Sequence, residues 1–268
     1  MKINKVCLFS NDNEKSKNIE KKLKKVLEKN DIVVSENNYD LAIAIGGDGS
    51  FLRMLKKTNF NSDIYYVGVN TGTLGFLQEI KPNELDEFVQ CLKDDEFKVD
   101  SIGIQKTQIV TNESTSIFYS LNDIVVRDKD LNTTILNIQV DNITLEEFVG
   151  DGILVSTSVG STAYNMSYGG SIVYNTLHTL QITPIAPLNS KVYRNLLNGV
   201  IIPEDKLITI IPRNDKGNLI VTIDGENNIY NNVLKIETIV SRKRIKCLRL
   251  NNYKFINIIN EKFLKDYN

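Results

Sequence analysis

The spacing of apolar positions changes near residue 97, and that change divides the chain. Before it, short apolar runs alternate with stretches of helical period. KVCLF (5–9) reads as a strand, and residues 13–29 place Ile19, Leu23, Val26 and Leu27 on one helical face with lysines filling the other. LAIAI (41–45) is a continuous apolar run, the pattern of a strand covered on both faces. SFLRMLKK (50–57) returns to helical spacing through Phe51, Leu52 and Leu55. IYYVGVN (64–70) is the next strand, and Asn83 is placed to cap a helix bearing Leu85, Phe88, Val89 and Leu92. Strand–helix alternation of this kind predicts a parallel sheet with crossover helices.

Beyond that point the segments IGIQKTQIVT, SIFYSLNDIVVR, TTILNIQV, ITLEEFV, ILVSTS, KLITIIPR, LIVTID and VLKIETI are short and rich in β-branched residues. Turn signals at Asp141-Asn142 and Lys216-Gly217-Asn218 separate several of them, which predicts antiparallel strands. Only 171–200 departs, and there a short helix and a proline-marked loop are expected. The fold class is therefore α/β plus all-β: a parallel α/β domain over 1–98 and an antiparallel β domain over 99–239.

Bulk properties remove several classes of function. A net charge of −1 over 268 residues gives no basic field for nucleic acid or an anionic membrane. No apolar run approaches the ~20 residues of a membrane span, and MKINKVCLF reads as a strand rather than a leader. Three widely spaced cysteines, Cys7, Cys91 and Cys247, lack metal-ligand or redox spacing and fit reduced thiols in a cytoplasm. With one histidine, His178, catalysis falls to carboxylates, backbone amides and bound ions, and no protein metal site is expected.

The candidate chemistry begins at GGDGS (46–50), which meets the end of LAIAI. Ligands of open parallel sheets bind at such strand carboxyl ends. Glycines bring the backbone close to a ligand, and free amides at a helix start favour phosphate. The segment is not a dinucleotide fingerprint, because Leu52 stands where the third glycine is needed, and no P-loop GK[ST] follows. NTGTLGFL (70–77) repeats the placement of glycines after a strand. GDGILVSTSVGSTAYNMSYGG (150–170) adds hydroxyls from Ser156 to Ser167 suited to ribose and phosphate.

Together these segments resemble the NAD kinase family. The GGDG-T/S turn matches Gly46 to Ser50, N-x-G-x-LGFL matches Asn70, Gly72 and Leu74 to Leu77, and the DG…ST…GSTAY…GG block matches Asp151 to Gly170. The Asn–acidic pair matches Asn122-Asp123, and the TP-I-P segment matches Thr183, Pro184 and Pro187 around Ala186. Three departures stand out: Val149 where the family commonly has arginine, Asp123 for glutamate, and TSVG for TPTG. If Val149 and Asp151 lie on one strand they point to the same face, where that arginine would sit beside the aspartate.

The resemblance implies transfer of the γ-phosphoryl of ATP, or of polyphosphate, to the 2′-hydroxyl of the adenosine ribose of NAD. Mg²⁺ or another divalent cation would accompany ATP. Asp48 would orient the hydroxyl and accept its proton, with Gly49 and Arg53 near the phosphates. Asn122, Asp123, Asp151, Thr162, Ala163, Tyr164, Asn165, Met166, Ser167 and Ala186 would bind NAD. The resemblance also implies a cytoplasmic homo-oligomer, dimer or tetramer, and a tail from about 240 to 268 that returns to the first domain. The alternatives are a GGDG-type lipid kinase and a catalytically inactive dinucleotide-binding regulatory module.

Overall fold

The structure, a computed structural model, describes residues 3–72, 75–213 and 217–265. Leu74 and Lys216, singled out above, lie outside them. The chain opens with β1 (Lys5–Ser10), α1 (Glu14–Lys29), β2 (Val33–Val34), β3 (Leu41–Gly46), α2 (Asp48–Lys57), β4 (Tyr65–Asn70) and α3 (Leu85–Asp94). Strands β5 (Phe97–Thr111), β6 (Thr115–Ser120), β7 (Asp123–Asp128), β8 (Thr134–Val140), β9 (Ile143–Gly150) and β10 (Gly152–Thr157) follow. After α4 (Tyr164–Ser167) come β11 (Thr179–Ile185), β12 (Val200–Pro203), β13 (Ile208–Pro212), β14 (Leu219–Ile223), β15 (Glu226–Tyr230), β16 (Val233–Leu250) and α5 (Phe255–Phe263). Two compact units result: Met1–Ile102 with Arg244–Asn268, and Gly103–Lys243.

In the first unit β2, β1, β3, β4 and the end of β16 lie side by side, all parallel. β3 is buried at every position, which explains its unbroken apolar run. Helix α1 starts where Asn13 accepts a hydrogen bond from the Ser16 amide at 2.9 Å, and its Ile19, Leu23 and Leu27 are buried. Helix α3 buries the expected Leu85, Phe88, Val89 and Leu92, but its cap differs. Glu84, not Asn83, occupies the cap position, and its carboxylate turns back to accept from the Lys81 amide. The last residues of β16 pair with β4 through Lys246↔Tyr65 and Cys247↔Tyr66, and Leu248 and Leu250 join the core of this unit.

The second unit holds two antiparallel sheets with a common core that includes Ile138, Phe148, Val155, Leu180, Val221 and Ile236. One sheet orders as β16–β13–β8–β9 with the β5–β6 pair alongside, the other as β12–β11–β10–β7–β14–β15. Segment 171–200 contains no helix; instead β11 is an interior strand, buried at all but its first position. Pro184 disguised it, since proline is unusual inside a sheet. Pairing of β11 with β12 ends at Ile182↔Val200, so at Pro184 one side of the strand has no partner and the missing N–H costs no ladder bond.

Among the described residues no helix is long and apolar enough to cross a membrane. The first unit does bury charge: Arg249 donates to Glu79 at 3.2 Å and to Asp100 at 3.0 Å, lies over the Tyr253 ring at 4.2 Å, and is 8% exposed. Removing one member of such a cluster strands the others in a poor solvent. Arg249→Ala is therefore expected to cost about 3–5 kcal/mol in urea unfolding. Lys235→Ala, which breaks the more exposed pair with Glu237, is expected to cost about 0–1 kcal/mol.

Candidate functional site

Two groups of candidate residues take shape, one in each unit. In the first, β3 ends at Gly46 in the left-handed region with φ 154°. A side chain there would also meet the Ser50 hydroxyl at 2.1 Å, so only glycine fits. Gly47 follows as the N-cap without a side-chain cap, and space beside its Cα is open for 4 Å. Asp48 is thus the first residue of α2, not part of a loop. Its Oδ2 accepts from the Phe76 amide at 3.1 Å and its Oδ1 from the Leu77 amide at 3.0 Å. Gly75 leaves room for this: a Cβ there would lie 2.1 Å from Oδ1. Gln78 closes the arrangement by donating to the Gly47 carbonyl at 2.8 Å. Arg53 is exposed one turn along α2 and donates to Asn11 Oδ1, which also accepts from Ser50 at 2.9 Å.

In the second unit the Asn122-Asp123 pair sits at a bend between β6 and β7. Sequence reasoning missed what makes that bend. The Asp224 carboxylate accepts from the amides of Leu121 (2.8 Å), Asn122 (2.7 Å) and Asp123 (3.3 Å). The only signal for it was the turn pair Asp224-Gly225, whose aspartate ends LIVTID. The Asp123 side chain is buried and accepts no hydrogen bond from the described residues. Burial first, and the charge of Asp224 second, push its carboxyl up to about 7.

GSTAY forms a 3₁₀ turn over Val159–Thr162 that runs into α4. Tyr164, Met166 and Ser167 are exposed, and Thr162 and Ala163 half-buried. Asn165 differs: its side chain is fully buried, donating to Gln181 at 2.9 Å and accepting from Thr183 at 2.6 Å, so it braces the turn from inside and its amide is not presented outward. The Tyr164 hydroxyl is held below its ordinary pKa by hydrogen bonds from Tyr168 and from Arg127, a residue the sequence reading did not single out. Ala186 is exposed with φ 44°, a left-handed conformation that is strained for alanine.

Val149 and Asp151 do not share a face. β9 ends at Gly150 and Asp151 forms the bend after it, tied by its amide to the Ile185 carbonyl at 3.0 Å. Val149 is buried while Asp151 is exposed. The expectation of a neighbouring pair at 149 and 151 is therefore withdrawn, because strand alternation stops one residue too early.

Comparison with known proteins decides the family. The ATP-NAD kinase N-terminal domain matches residues 4–97, and the ATP-NAD kinase C-terminal domain matches residues 121–250. The NAD kinase of Finegoldia magna is 39% identical over 268 residues, covering 97% of each chain. The chain belongs to the NAD kinase family. The NAD kinase of Streptococcus gordonii is 34% identical over 90% of this chain and 88% of its own. Yeast NADH kinase complexed with NADH superposes with a TM-score of 0.87 at 21% identity, covering all of this chain and 90% of that one. An NAD kinase from Archaeoglobus fulgidus in complex with ATP gives 0.77 at 22% identity, covering 96% and 98%. At such identities the two solved structures establish the α/β plus antiparallel β fold. Neither the lipid-kinase nor the inactive-module alternative gains support.

The NAD kinase match takes in both carboxylate groups, and Asp123 offers a direct check. Its folded pKa lies above the ordinary 3.8, so its ionisation opposes folding. The protonated side chain's contribution to stability is complete below about 3.8 and lost as pH rises through about 7. Carbon-13 NMR of the aspartate carboxyls should show one group titrating near 7 that disappears in Asp123→Asn. A spectrum in which every carboxyl titrates below 5 would remove the buried-charge account.

Proposed function

We propose that this protein is an NAD kinase that transfers the γ-phosphoryl group of ATP to the 2′-hydroxyl of the adenosine ribose of NAD, with Asp48 as the base. The observation that carries the reading is the Asp48 carboxylate held by two amides. Each oxygen takes one N–H and keeps a further lone pair for a substrate hydroxyl. The carboxylate is thereby aimed without being used up. It accepts the hydroxyl proton as the ribose oxygen forms its bond to the γ-phosphorus and the bond to the β-phosphate oxygen breaks, releasing ADP. Such proton transfer is worth ~10²–10⁴ in rate.

Phosphoryl transfer otherwise depends on positioning and neutralisation of charge. The open space beside Gly47 and the unpaired amides at the start of α2 suit phosphate oxygens, with Gly49 beside them. Arg53 reaches this region once it exchanges Asn11 for a phosphate. Asn122 and Asp123 contact NAD, with Asp123 accepting a ribose hydroxyl in place of the protein donor it lacks. Asp151, the exposed face of Thr162–Ser167 and the carbonyl of Ala186 complete the nucleotide contacts. A divalent cation would accompany ATP as part of that substrate. There it neutralises charge on the phosphates.

Three free cysteines support a reducing cytoplasm as the setting. The segment 188–201 exposes Leu188, Val192, Leu197 and Ile201, Val192 at 80%, which supports a homo-oligomer, dimer or tetramer. Light scattering should give a mass at least twice 30.3 kDa; a monomer at micromolar concentration would refute it.

The activity is tested by incubating the protein with NAD, Mg²⁺ and either ATP or polyphosphate and assaying NADP. Asp48→Asn should keep NAD affinity within a few-fold and lower turnover at least ~10²-fold. Near-normal turnover in that variant would take Asp48 out of the mechanism.

A further inference from the structure

Arg127 is the feature that the reading above leaves unexplained. It lies on β7, half-buried, and its Nη2 donates to the Tyr164 hydroxyl at 3.1 Å and the Tyr168 hydroxyl at 2.7 Å. Its guanidinium carbon sits 5.8 Å and 5.9 Å from the two ring centres. The hydroxyls are 2.7 Å apart, one donating to the other. Among the described residues no carboxylate reaches this guanidinium. The adjacent Asp128 is occupied by Asp130 and Asn132, and the stem of Arg127 runs against Gly152, where a Cβ would lie 2.7 Å from its Cγ.

A partly desolvated cation is ordinarily paired with an anion. Here its partners are two neutral hydroxyls. Nη2 serves both, which leaves the N–H groups of Nη1 and Nε without an acceptor among the described residues. One tyrosine O–H also remains to donate. The cluster is thus made of donors around a positive charge, and Tyr164, 41% exposed, opens it to solvent. Such an array matches the oxygens of a phosphate, which guanidinium binds in a fixed fork. Gly152, beside its stem, has φ 157° and allows no side chain, since a Cβ there would collide with Arg127 Cγ and the Val126 carbonyl.

We propose that Arg127, with the Tyr164 and Tyr168 hydroxyls, is a binding site for a phosphate oxygen of the dinucleotide's diphosphate. The inference rests on the reading that the Thr162–Ser167 segment binds NAD, and it adds the group that would meet the ligand's charge. Tyr164 then acts through its hydroxyl, which orients the arginine.

The test compares ligands with and without phosphate by calorimetry. Arg127→Gln should weaken NAD and NADP roughly ten- to hundredfold, as expected for a lost charged hydrogen bond. Adenosine should bind within about twofold of the unaltered protein. In assays the loss should appear in KM for NAD more than in kcat. Equal losses for NAD and adenosine would mean that Arg127 only shapes the segment, and unchanged NAD binding would exclude the site; either result overturns the proposal. If Arg127→Gln does not fold, Arg127→Lys carries the same comparison, with an expected three- to tenfold loss for NAD alone and no loss as the contrary result. Failure of the NAD kinase reading is distinguishable, because it would show as absence of NADP from the unaltered protein while the binding comparison still reports on Arg127.

Discussion

The clasp of the Asp48 carboxylate by the Phe76 and Leu77 amides is the interaction on which the first unit is organised. Both oxygens are engaged at 3.0–3.1 Å, so the side chain has one orientation. That requires residues 75–78 to lie against the start of α2, which in turn requires Gly75 to have no side chain and Gln78 to hold the Gly47 carbonyl. The loop is itself tethered from behind. Glu79 takes the Leu250 amide and the Arg249 guanidinium, and the Phe76 ring packs 6.3 Å from Phe255 and 5.4 Å from Phe263. The end of β16 and α5 therefore act on Asp48 through one short loop. A buried ion pair adds little net stability, but it can fix which conformation is adopted.

A second carboxylate shows the opposite device. Asp224 accepts from three backbone amides, and in doing so it creates the bend that presents Asn122 and Asp123. Asp123 is then buried near that charge with no donor to its side chain among the described residues. A carboxyl perturbed by burial and a like charge is one physical mark of a candidate functional position. The left-handed Ala186 is a comparable departure from local preference in the same unit.

Much of this was legible in the sequence. The switch from helical to strand period separated the two kinds of structure because each covers its core in its own way: LAIAI is buried on both faces, whereas α1 buries one stripe. Local pattern failed where a distant contact decides the outcome. Pro184 hid β11, and only the early end of β12 makes it tolerable. The cap of α3 passed to Glu84, and strand alternation stopped before Asp151. The glycines of GGDG were recognisable, but the need for Gly75 arises from an oxygen far away in sequence. The family resemblance put Asn165 among the NAD contacts, but Gln181 and Thr183 draw its side chain inward. The roles of Asp224 and Arg127 were hidden because their partners are far away in sequence: Leu121 to Asp123 for one, Tyr164 and Tyr168 for the other. The glycine-rich segments proposed to meet the ligand were thus readable, and the charges that position them were not.

The central claim is that the Phe76–Leu77 clasp, and not merely the presence of a carboxylate, makes Asp48 catalytic. Gly75→Ala tests it with every catalytic side chain retained, since the new Cβ would fall 2.1 Å from Asp48 Oδ1 and force the carboxylate aside. A misplacement of about 1 Å can cost ~10² in rate. Steady-state turnover of this variant at saturating NAD and ATP, with NAD affinity measured by calorimetry, is the decisive measurement. The expected result is turnover lowered roughly 10²-fold with NAD affinity within a few-fold. Turnover within about twofold of the unaltered protein, in a variant that folds normally, would contradict it.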